Sequence, residues 1–170
     1  FGSTTLDPER SIYLNLGAGS HKLPGFINVD LDPGADLQLD LTQRLPWDDN
    51  SVAGIYSEHF IEHVSQADAI FLLCECRRIL KPGGCLITSS PFLIAEHRMP
   101  KDYWRFTKDG YRVLLENYSA VETGSWGNQG SVTYLMQGMM VSTQDAIDAG
   151  TFDLTDVEKF AISVWAYAWK

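Results

Sequence analysis

The sequence predicts an α/β fold with one mostly parallel sheet. Three observations favour it. Short apolar runs of β type come in succession and then alternate with a helical pattern. The first four runs each end on glycine or polar residues, and 170 residues is the length of one ordinary domain. Ligands of parallel α/β sheets bind beyond the carboxyl ends of the strands, so these polar ends predict a binding crevice.

The predicted elements begin with four short strands. They cover residues 11–16, which run into Gly17-Ala18-Gly19-Ser20, residues 26–30, closed by Asp30, residues 37–39, followed by Asp40, and residues 52–56, followed by Ser57-Glu58-His59. A helix is predicted over residues 67–80, ended by Lys81-Pro82-Gly83-Gly84, and a fifth strand over residues 85–88. Residues 132–140 are apolar enough for a strand or a buried helix.

The connection between the first two strands is unusually short. Only residues 20–27 separate Gly19 from Asn28, whereas a crossover with its helix normally needs at least about 10 to 12 residues. An extended chain of that length still reaches about 26 Å, more than the roughly 17 Å of a five-residue strand. We therefore expect a loop or a single turn in place of the first helix.

The C-terminal segment has the pattern of an amphipathic helix. Thr155-x-x-Glu158 has the form of a capping box. The apolar stripe behind it comprises Val157, Phe160, Ala161, Val164, Trp165 and Ala168. We expect this helix to pack on the core, with a homodimer contact or a membrane-surface contact as alternatives.

Composition and charge exclude several classes of function. The formal net charge of -9 disfavours a nucleic-acid partner. The basic cluster Arg77, Arg78 and Lys81 fits a solvated helix face. No apolar run approaches the length that spans a bilayer. Three cysteines, an odd number, predict free thiols in a reducing cytoplasm. Residues 1–10 are interpreted as an N-terminal extension or a cloning remnant, and residues 11–170 as a single domain.

The polar strand ends suit a nucleoside-containing cofactor. Gly17 and Gly19 permit close approach of the backbone to a ligand. Asp30 ends the second strand, where an acid can accept two hydrogen bonds from ribose hydroxyls, and Asp40 is placed for the edge of an adenine. A third glycine and a long first helix are missing, which makes NAD or FAD the weaker interpretation.

Several segments together resemble one family, the class I S-adenosylmethionine-dependent methyltransferases, in particular the type 11 branch. The matching segments are residues 14–20, 27–30, 40–41, 45–52, 58–63 and 78–84. The resemblance implies a Rossmann-like fold with a mostly parallel seven-stranded sheet, a shortened first crossover helix and S-adenosyl-L-methionine as cofactor. A catalytically silent binding module and a nicotinamide-dependent oxidoreductase are the alternative functions.

The resemblance also implies the cofactor site. It consists of Asn15, Gly17, Ala18, Gly19, Asp30, Leu31, Asp40, Leu41, Ser57, Glu58 and His59. Gly17 to Gly19 would lie under the methionine part, Asp30 at the ribose, and Asp40 with Leu41 at the adenine. Asn15 stands where many relatives have an acid.

The segment His59-Phe60-Ile61-Glu62-His63 has the H-x-x-E-H form of a family of zinc peptidases. It directly follows a predicted strand, and no third ligand is evident downstream, so we expect no metal. Instead, residues 57–59 are expected to form the floor of the cofactor site, with His63 beginning the next helix. Glu58 and Glu62 also fit as first-turn acids that complement a helix dipole.

A second candidate segment, residues 96–107, is rich in aromatic and charged side chains. The resemblance places such a loop at the acceptor pocket. Candidate catalytic residues are His59, His63 and His97 as general bases, and Tyr103 and Arg105 as acceptor contacts. The expected acceptor is an oxygen or nitrogen atom of a small molecule such as a sugar, a nucleotide-linked sugar or an organic acid. An arginine there would favour an acceptor that bears carboxylate or phosphate, such as a sugar acid. Alternatively, Tyr103, Trp104 and Phe106 anchor the loop and Arg105 pairs with an acid.

Overall fold

The structure, a computed structural model, describes residues 11–98, 101–136 and 156–170. Its seven strands are β1 (Ile12–Leu16), β2 (Ile27–Asp30), β3 (Leu37–Gln38), β4 (Val52–Glu58), β5 (Leu80–Pro91), β6 (Ala120–Trp126) and β7 (Ser163–Trp169). They form one sheet in the order β3-β2-β1-β4-β5-β7-β6. Pairings from β3 to β5 are parallel, and β7 runs antiparallel to both β5 and β6. The predicted fold, with its mostly parallel seven-stranded sheet, is confirmed.

The described residues contain three α-helices and two 3₁₀ turns. They are α1 (Gln66–Ile79), α2 (Lys108–Leu114) and α3 (Gln129–Met136), with 3₁₀ turns at Ile61–His63 and Glu158–Phe160. Ser65 caps α1 by accepting a hydrogen bond from the Asp68 amide, and Thr107 caps α2 in the same way. None of the helices among the described residues combines the length and apolarity needed to cross a membrane.

The core joins the central strands to one face of α1. Its fully buried members include Leu14 and Leu16 of β1, Ile55 of β4 and Leu86 of β5. On α1, Cys76 faces this core while Cys74 is exposed, and all three cysteines are free. This packing fixes β1 and β4 side by side, and the strand order reverses at that pair, which is where ligands bind in such sheets.

The connection from β1 to β2 contains no helix, as its length predicted. A polar network stabilises it instead. The Asn15 amide nitrogen donates to the carbonyl of His21 and to Oδ1 of Asn28, both at 2.9 Å. Asn28 in turn donates its backbone N–H and its side-chain amide to Oδ2 of Asp36. These bonds lower the pKa of Asp36 to about 2, and they fix the loop without a helix.

The predicted C-terminal helix is wrong where the structure describes it. Residues 163–169 form β7, whose residues pair with β5 on one side and β6 on the other. The run Ser-Val-Trp-Ala-Tyr-Ala-Trp alternates with a period of two and satisfies its backbone groups through both neighbours. The ring of Trp165 lies where a side chain at Gly124 would be. Since residues 163–169 form a strand, the prediction of a homodimer contact through a C-terminal helix is not supported. Thr155 of the predicted capping box lies outside the described residues.

Two further predictions on the helices need adjustment. The helical alternative for residues 132–140 holds for 132–136, which belong to α3, and the rest lies outside the described residues. Arg78 is not on a solvated face: its side chain is 19% exposed and pairs with Glu75 and Asp49. It also donates to the carbonyls of Leu45 and Trp47, so it fixes the loop before β4 to α1.

Candidate cofactor and acceptor site

The glycine turn follows β1 at the point where the strand order reverses. The amides of Gly17 and Ala18 donate to the carbonyl of Val29, at 2.9 and 3.2 Å, which folds the turn back against β2. Gly17 has φ of +70°, and a β-carbon there would overlap the ring of Phe60. Glycine is required at position 17 both by its conformation and by this close contact.

An open cavity of about 400 Å³ lies between this turn and the end of β4. Its lining residues are Asn15, Gly17, Ala18, His21, Tyr56, Glu58 and His59. The structure thus brings together five residues predicted for the cofactor. His21 and Tyr56 were missed; their signal was position, since one follows the glycine turn and the other lies two residues before Glu58.

Asp30 is positioned at the glycine turn by its own hydrogen bonds. Its Oδ2 accepts from the Gly19 amide at 2.8 Å, and its Oδ1 accepts from the Asp32 amide at 3.0 Å. The next residue, Leu31, is 63% exposed. An acid at the end of β2, bonded to Gly19, is therefore followed directly by an exposed apolar residue.

The other predicted cofactor residues differ in accessibility. Oδ1 of Asp40 accepts from the backbone and the hydroxyl of Thr42, and these bonds lower the pKa of Asp40. The side chains of Leu41 and Ser57 are buried. Leu41 belongs to the hydrophobic core, so it supports the loop that carries Asp40 from within.

His59 occupies a backbone conformation that few residues adopt, with φ of +49°. Its amide donates to the carbonyl of Ser89, and its Nε2 lies 3.2 Å from Oγ of Ser163. Since the Ser163 hydroxyl donates to the carbonyl of Ser90, Nε2 of His59 carries the hydrogen of this pair. Burial lowers the pKa of His59 from its ordinary 6.5. A neutral ring with its lone pair on Nδ1 follows.

Two further groups of the cavity are coupled to Glu58. The hydroxyl of Tyr56 donates to its Oε2 at 2.8 Å, and Nδ1 of His21 lies 3.5 Å from the same oxygen. Burial, together with Glu58, raises the pKa of Tyr56 to about 12, so its hydroxyl keeps its hydrogen at neutral pH. The carboxylate of Glu58 is thereby oriented within the cavity.

The segment 101–106 packs against the residues after β4. The Tyr103 amide donates to the carbonyl of Glu62 at 2.7 Å, and Nε1 of Trp104 donates to the carbonyl of Val64 at 2.9 Å. Phe106 packs on the hydrophobic core. Tyr103 itself is 44% exposed. Two of the three aromatic side chains thus anchor the segment, and Tyr103 remains accessible.

Arg105 is used within its own loop. Its guanidinium forms a bidentate pair with Asp102 and also donates to the carbonyls of Trp104, Ile94 and Ala95. Arg105 holds the pKa of Asp102 well below its usual range. This arrangement agrees with the alternative in which Arg105 pairs with an acid, and both terminal nitrogens of its guanidinium already donate to described residues.

The H-x-x-E-H segment is not a regular helix. Glu58 ends β4, residues 61–63 form a 3₁₀ turn, and α1 begins only at Gln66, so the expectation that His63 begins the next helix is corrected. Glu62 is fully buried, and burial raises its pKa to about 7. Its Oε1 lies 3.7 Å from Nε2 of His63 and 3.6 Å from Nε2 of His97. The fold therefore brings together Glu62, His63 and His97.

Comparison with known proteins agrees with this geometry. The family described as "Methyltransferase domain" matches residues 25–88. A search of curated proteins finds no match. A methyltransferase dependent on S-adenosylmethionine from Archaeoglobus fulgidus is 17% identical, with a TM-score of 0.66 over 94% of this chain and 86% of that one.

Two further solved structures have the same fold. A structure of the Haloferax volcanii Trm112 methyltransferase activator in complex with a methyltransferase matches at 19% identity and a TM-score of 0.63, over 94% of this chain and 82% of that one. Phosphoethanolamine N-methyltransferase 2 of Haemonchus contortus, solved with S-adenosyl-L-methionine, matches at 14% identity and a TM-score of 0.56. There the alignment covers 94% of this chain and 48% of the other.

The fold and the glycine turn at the strand reversal define a class I methyltransferase fold. A methyltransferase-domain model matches residues 25–88, and solved S-adenosylmethionine-dependent methyltransferases share the fold, so both comparisons agree with the predicted class and with S-adenosyl-L-methionine as the predicted cofactor.

Proposed function

We propose that this protein transfers the methyl group of S-adenosylmethionine to an oxygen or nitrogen of a small molecule in the cavity between the glycine turn and His59. The observation that carries the proposal is the position of His59, a cavity residue whose ring is held neutral with a lone pair on Nδ1. A neutral imidazole can accept the proton that the acceptor loses on methylation.

The chemical demands on the remaining residues are modest. A sulfonium methyl group is already activated, so the protein's main task is to align acceptor, methyl carbon and sulfur and to exclude water. In this proposal Asp30 holds the ribose, Asp40 the adenine, and Asn15 with Gly17 to Gly19 the methionine part. The segment 101–106 covers the carboxyl end of β4, where Tyr103 is the exposed acceptor contact.

The contacts of Arg105 bear on the kind of acceptor that we propose. Because Asp102 and three carbonyls already occupy Arg105, Arg105 does not favour an anionic acceptor, and the proposal rests on a nucleophilic oxygen or nitrogen alone. Sugars, nucleotide-linked sugars and organic acids remain in the acceptor screen because each of them carries a nucleophilic oxygen or nitrogen. The chain is proposed to act in the cytoplasm without a nucleic-acid or membrane partner.

The test begins with calorimetric titration of the whole chain with S-adenosylmethionine, S-adenosylhomocysteine and NAD. Binding of the first two and not of NAD supports the proposal, and binding of NAD alone would support an oxidoreductase. Methyl transfer is then measured on a panel of small-molecule acceptors. Cofactor binding without transfer to any acceptor would instead favour a silent binding module.

His59→Asn then tests the base, because asparagine tolerates the positive φ of this position. Turnover should fall by about 10²- to 10⁴-fold, with a much smaller change in cofactor affinity. His21→Asn, which removes the other histidine of the cavity, should leave the pH profile of turnover in place. Equal turnover in His59→Asn and the unchanged protein would contradict the role of His59.

A further inference from the structure

Glu62 carries a buried carboxylate that no described residue satisfies. The residue is 0% exposed, and within residues 11–98, 101–136 and 156–170 neither carboxylate oxygen has a hydrogen-bond partner. Burying such a group costs several kcal/mol unless it is compensated. The fold holds this side chain in the middle of the 3₁₀ turn, so a compensating group is expected at its oxygens.

Two imidazole nitrogens face the same oxygen. Nε2 of His63 and Nε2 of His97 lie 3.7 and 3.6 Å from Oε1 of Glu62, too far for a hydrogen bond. The two rings meet edge to face with centroids 4.9 Å apart. Oε1 of Glu62 and the two Nε2 atoms are thus neighbouring potential ligand atoms.

The opposite nitrogen of each ring is directed to an acceptor. Nδ1 of His63 lies 2.5 Å from the carbonyl oxygen of Lys101, which can only accept, so Nδ1 carries the hydrogen. Nδ1 of His97 lies 3.3 Å from Oδ2 of Asp102, without full hydrogen-bond geometry. The contact of His63 therefore leaves its lone pair on Nε2, the atom that faces Glu62; the same tautomer of His97 is part of the proposal that follows.

We propose that Glu62, His63 and His97 bind a first-row divalent transition metal ion, of which Zn²⁺ is the representative, through Oε1 and the two Nε2 atoms. These atoms all lie within 4.8 Å of one another. Zinc bonds of about 2.0–2.2 Å in a tetrahedron place ligand atoms about 3.4 Å apart, so the two contacts of Glu62 need to close by only a few tenths of an ångström. Two imidazoles and one carboxylate suit zinc, iron or manganese better than magnesium or calcium, which prefer oxygen ligands.

The groups behind the two histidines complete the arrangement. Histidine ligands of metals usually donate their second ring hydrogen to a carbonyl or a carboxylate, which fixes the ring and raises its basicity. Here the carbonyl of Lys101 and the carboxylate of Asp102 take these positions, and Arg105 fixes Asp102 with a bidentate pair. In this proposal, the polar contacts of Lys101 and Asp102 orient the two histidine ligands.

Three protein ligands leave a coordination position open. A water molecule or an oxygen or nitrogen of a bound small molecule would occupy it. The site follows His59 closely along the chain, since Glu62 and His63 belong to the 3₁₀ turn that begins two residues after it. The expectation of no metal rested on the missing third ligand, and His97 supplies that ligand from a distant part of the sequence. Metal binding here does not depend on methyl transfer, and its test uses binding alone.

The experiment starts from the whole chain stripped with a chelator and titrated with Zn²⁺ by calorimetry. We expect one ion per chain, an affinity at least tenfold weaker in His63→Ala and in His97→Ala, and a 10- to 100-fold loss in Asp102→Asn. His21→Ala and Cys74→Ser, which change an exposed histidine and an exposed cysteine outside the cluster, should retain the affinity of the unchanged protein. Circular dichroism and urea denaturation establish that each variant is folded.

Titration with Co²⁺ gives an independent readout on the unchanged protein. Visible bands of nitrogen and oxygen ligation, lost in the isosteric variant Glu62→Gln, are the expected result. Thiolate charge-transfer bands, or loss of the ion in Cys74→Ser, would place the metal on cysteine and overturn the proposal. It is equally overturned if no stoichiometric ion binds, or if His63→Ala and His97→Ala bind it as well as the unchanged protein; a proton on Glu62 would then account for its burial.

Discussion

Phe60 lies directly over Gly17, so the glycine turn after β1 and the segment after β4 are in van der Waals contact beside the cavity that Gly17 lines. A β-carbon at position 17 would overlap the ring, and φ of +70° is itself unfavourable for other residues. At Gly19, where φ is +47°, an added β-carbon would meet nothing within 4 Å.

The comparison of these two glycines gives the first prediction. Gly19→Ala should cost about 1–2 kcal/mol of unfolding free energy from its conformation alone. Gly17→Ala should cost about 1–3 kcal/mol more, because the ring of Phe60 has to move, and it should also weaken S-adenosylmethionine binding. Urea unfolding and calorimetry measure both quantities. Equal effects of the two substitutions would show that Phe60 adjusts freely.

The second prediction concerns Asp30 and the ribose. Asp30→Asn keeps the size of the side chain but removes the charge, and it weakens two charge-assisted hydrogen bonds to the cofactor, each worth roughly 1.5–3 kcal/mol. The affinity for S-adenosylmethionine should therefore fall at least about tenfold. Asp32→Asn, an exposed acid in the same loop, serves as the control and should bind normally. Normal binding by Asp30→Asn, with the fold intact, would exclude the ribose assignment.

The third prediction follows from the burial of His59. Burial lowers the pKa of His59 from 6.5. Between the folded and the unfolded pKa, the unfolded chain therefore binds a proton on this ring that the folded protein does not bind. His59 therefore contributes no destabilisation above pH 6.5, and the free energy of unfolding decreases as the pH falls below 6.5, until the folded pKa is reached. An NMR titration of the ring, assigned by its absence in His59→Asn, should give a midpoint below 6.5. A midpoint at or above that value would contradict both the burial and the neutral ring.

The fourth prediction concerns Arg78, which links α1 to the loop before β4. Lysine cannot reproduce its simultaneous contacts with Glu75, Asp49 and the carbonyls of Leu45 and Trp47. Arg78→Lys should lower the free energy of unfolding by about 1–3 kcal/mol.

The adjacent Arg77 provides a matched control, because its side chain is exposed. Arg77→Lys should change the unfolding free energy by less than about 0.5 kcal/mol. Urea denaturation of both variants measures the difference. A loss in Arg78→Lys no larger than that in Arg77→Lys would mean that solvent replaces the contacts at little cost.

The amino-acid sequence by itself determined the parallel half of the sheet and the glycine turn. Short apolar runs closed by glycine or acid residues locate β1, β2 and β4 to within about two residues, because burial on both faces and a sharp turn leave a local signature. The helix-free connection before β2 followed from chain length alone, since too few residues were available for a crossover helix.

Only the tertiary structure decided the C-terminal strand and the cluster of Glu62, His63 and His97. The stripe from Val164 to Ala168 fits a period of 3.6 as well as one of 2, and pairing with β5 and β6 selects the strand by satisfying its backbone groups. His97 comes from a loop after β5, and its approach to Glu62 depends on how that loop packs on the 3₁₀ turn after β4. Such contacts between distant segments have no local pattern, because spacing along the chain does not fix distance in the folded protein.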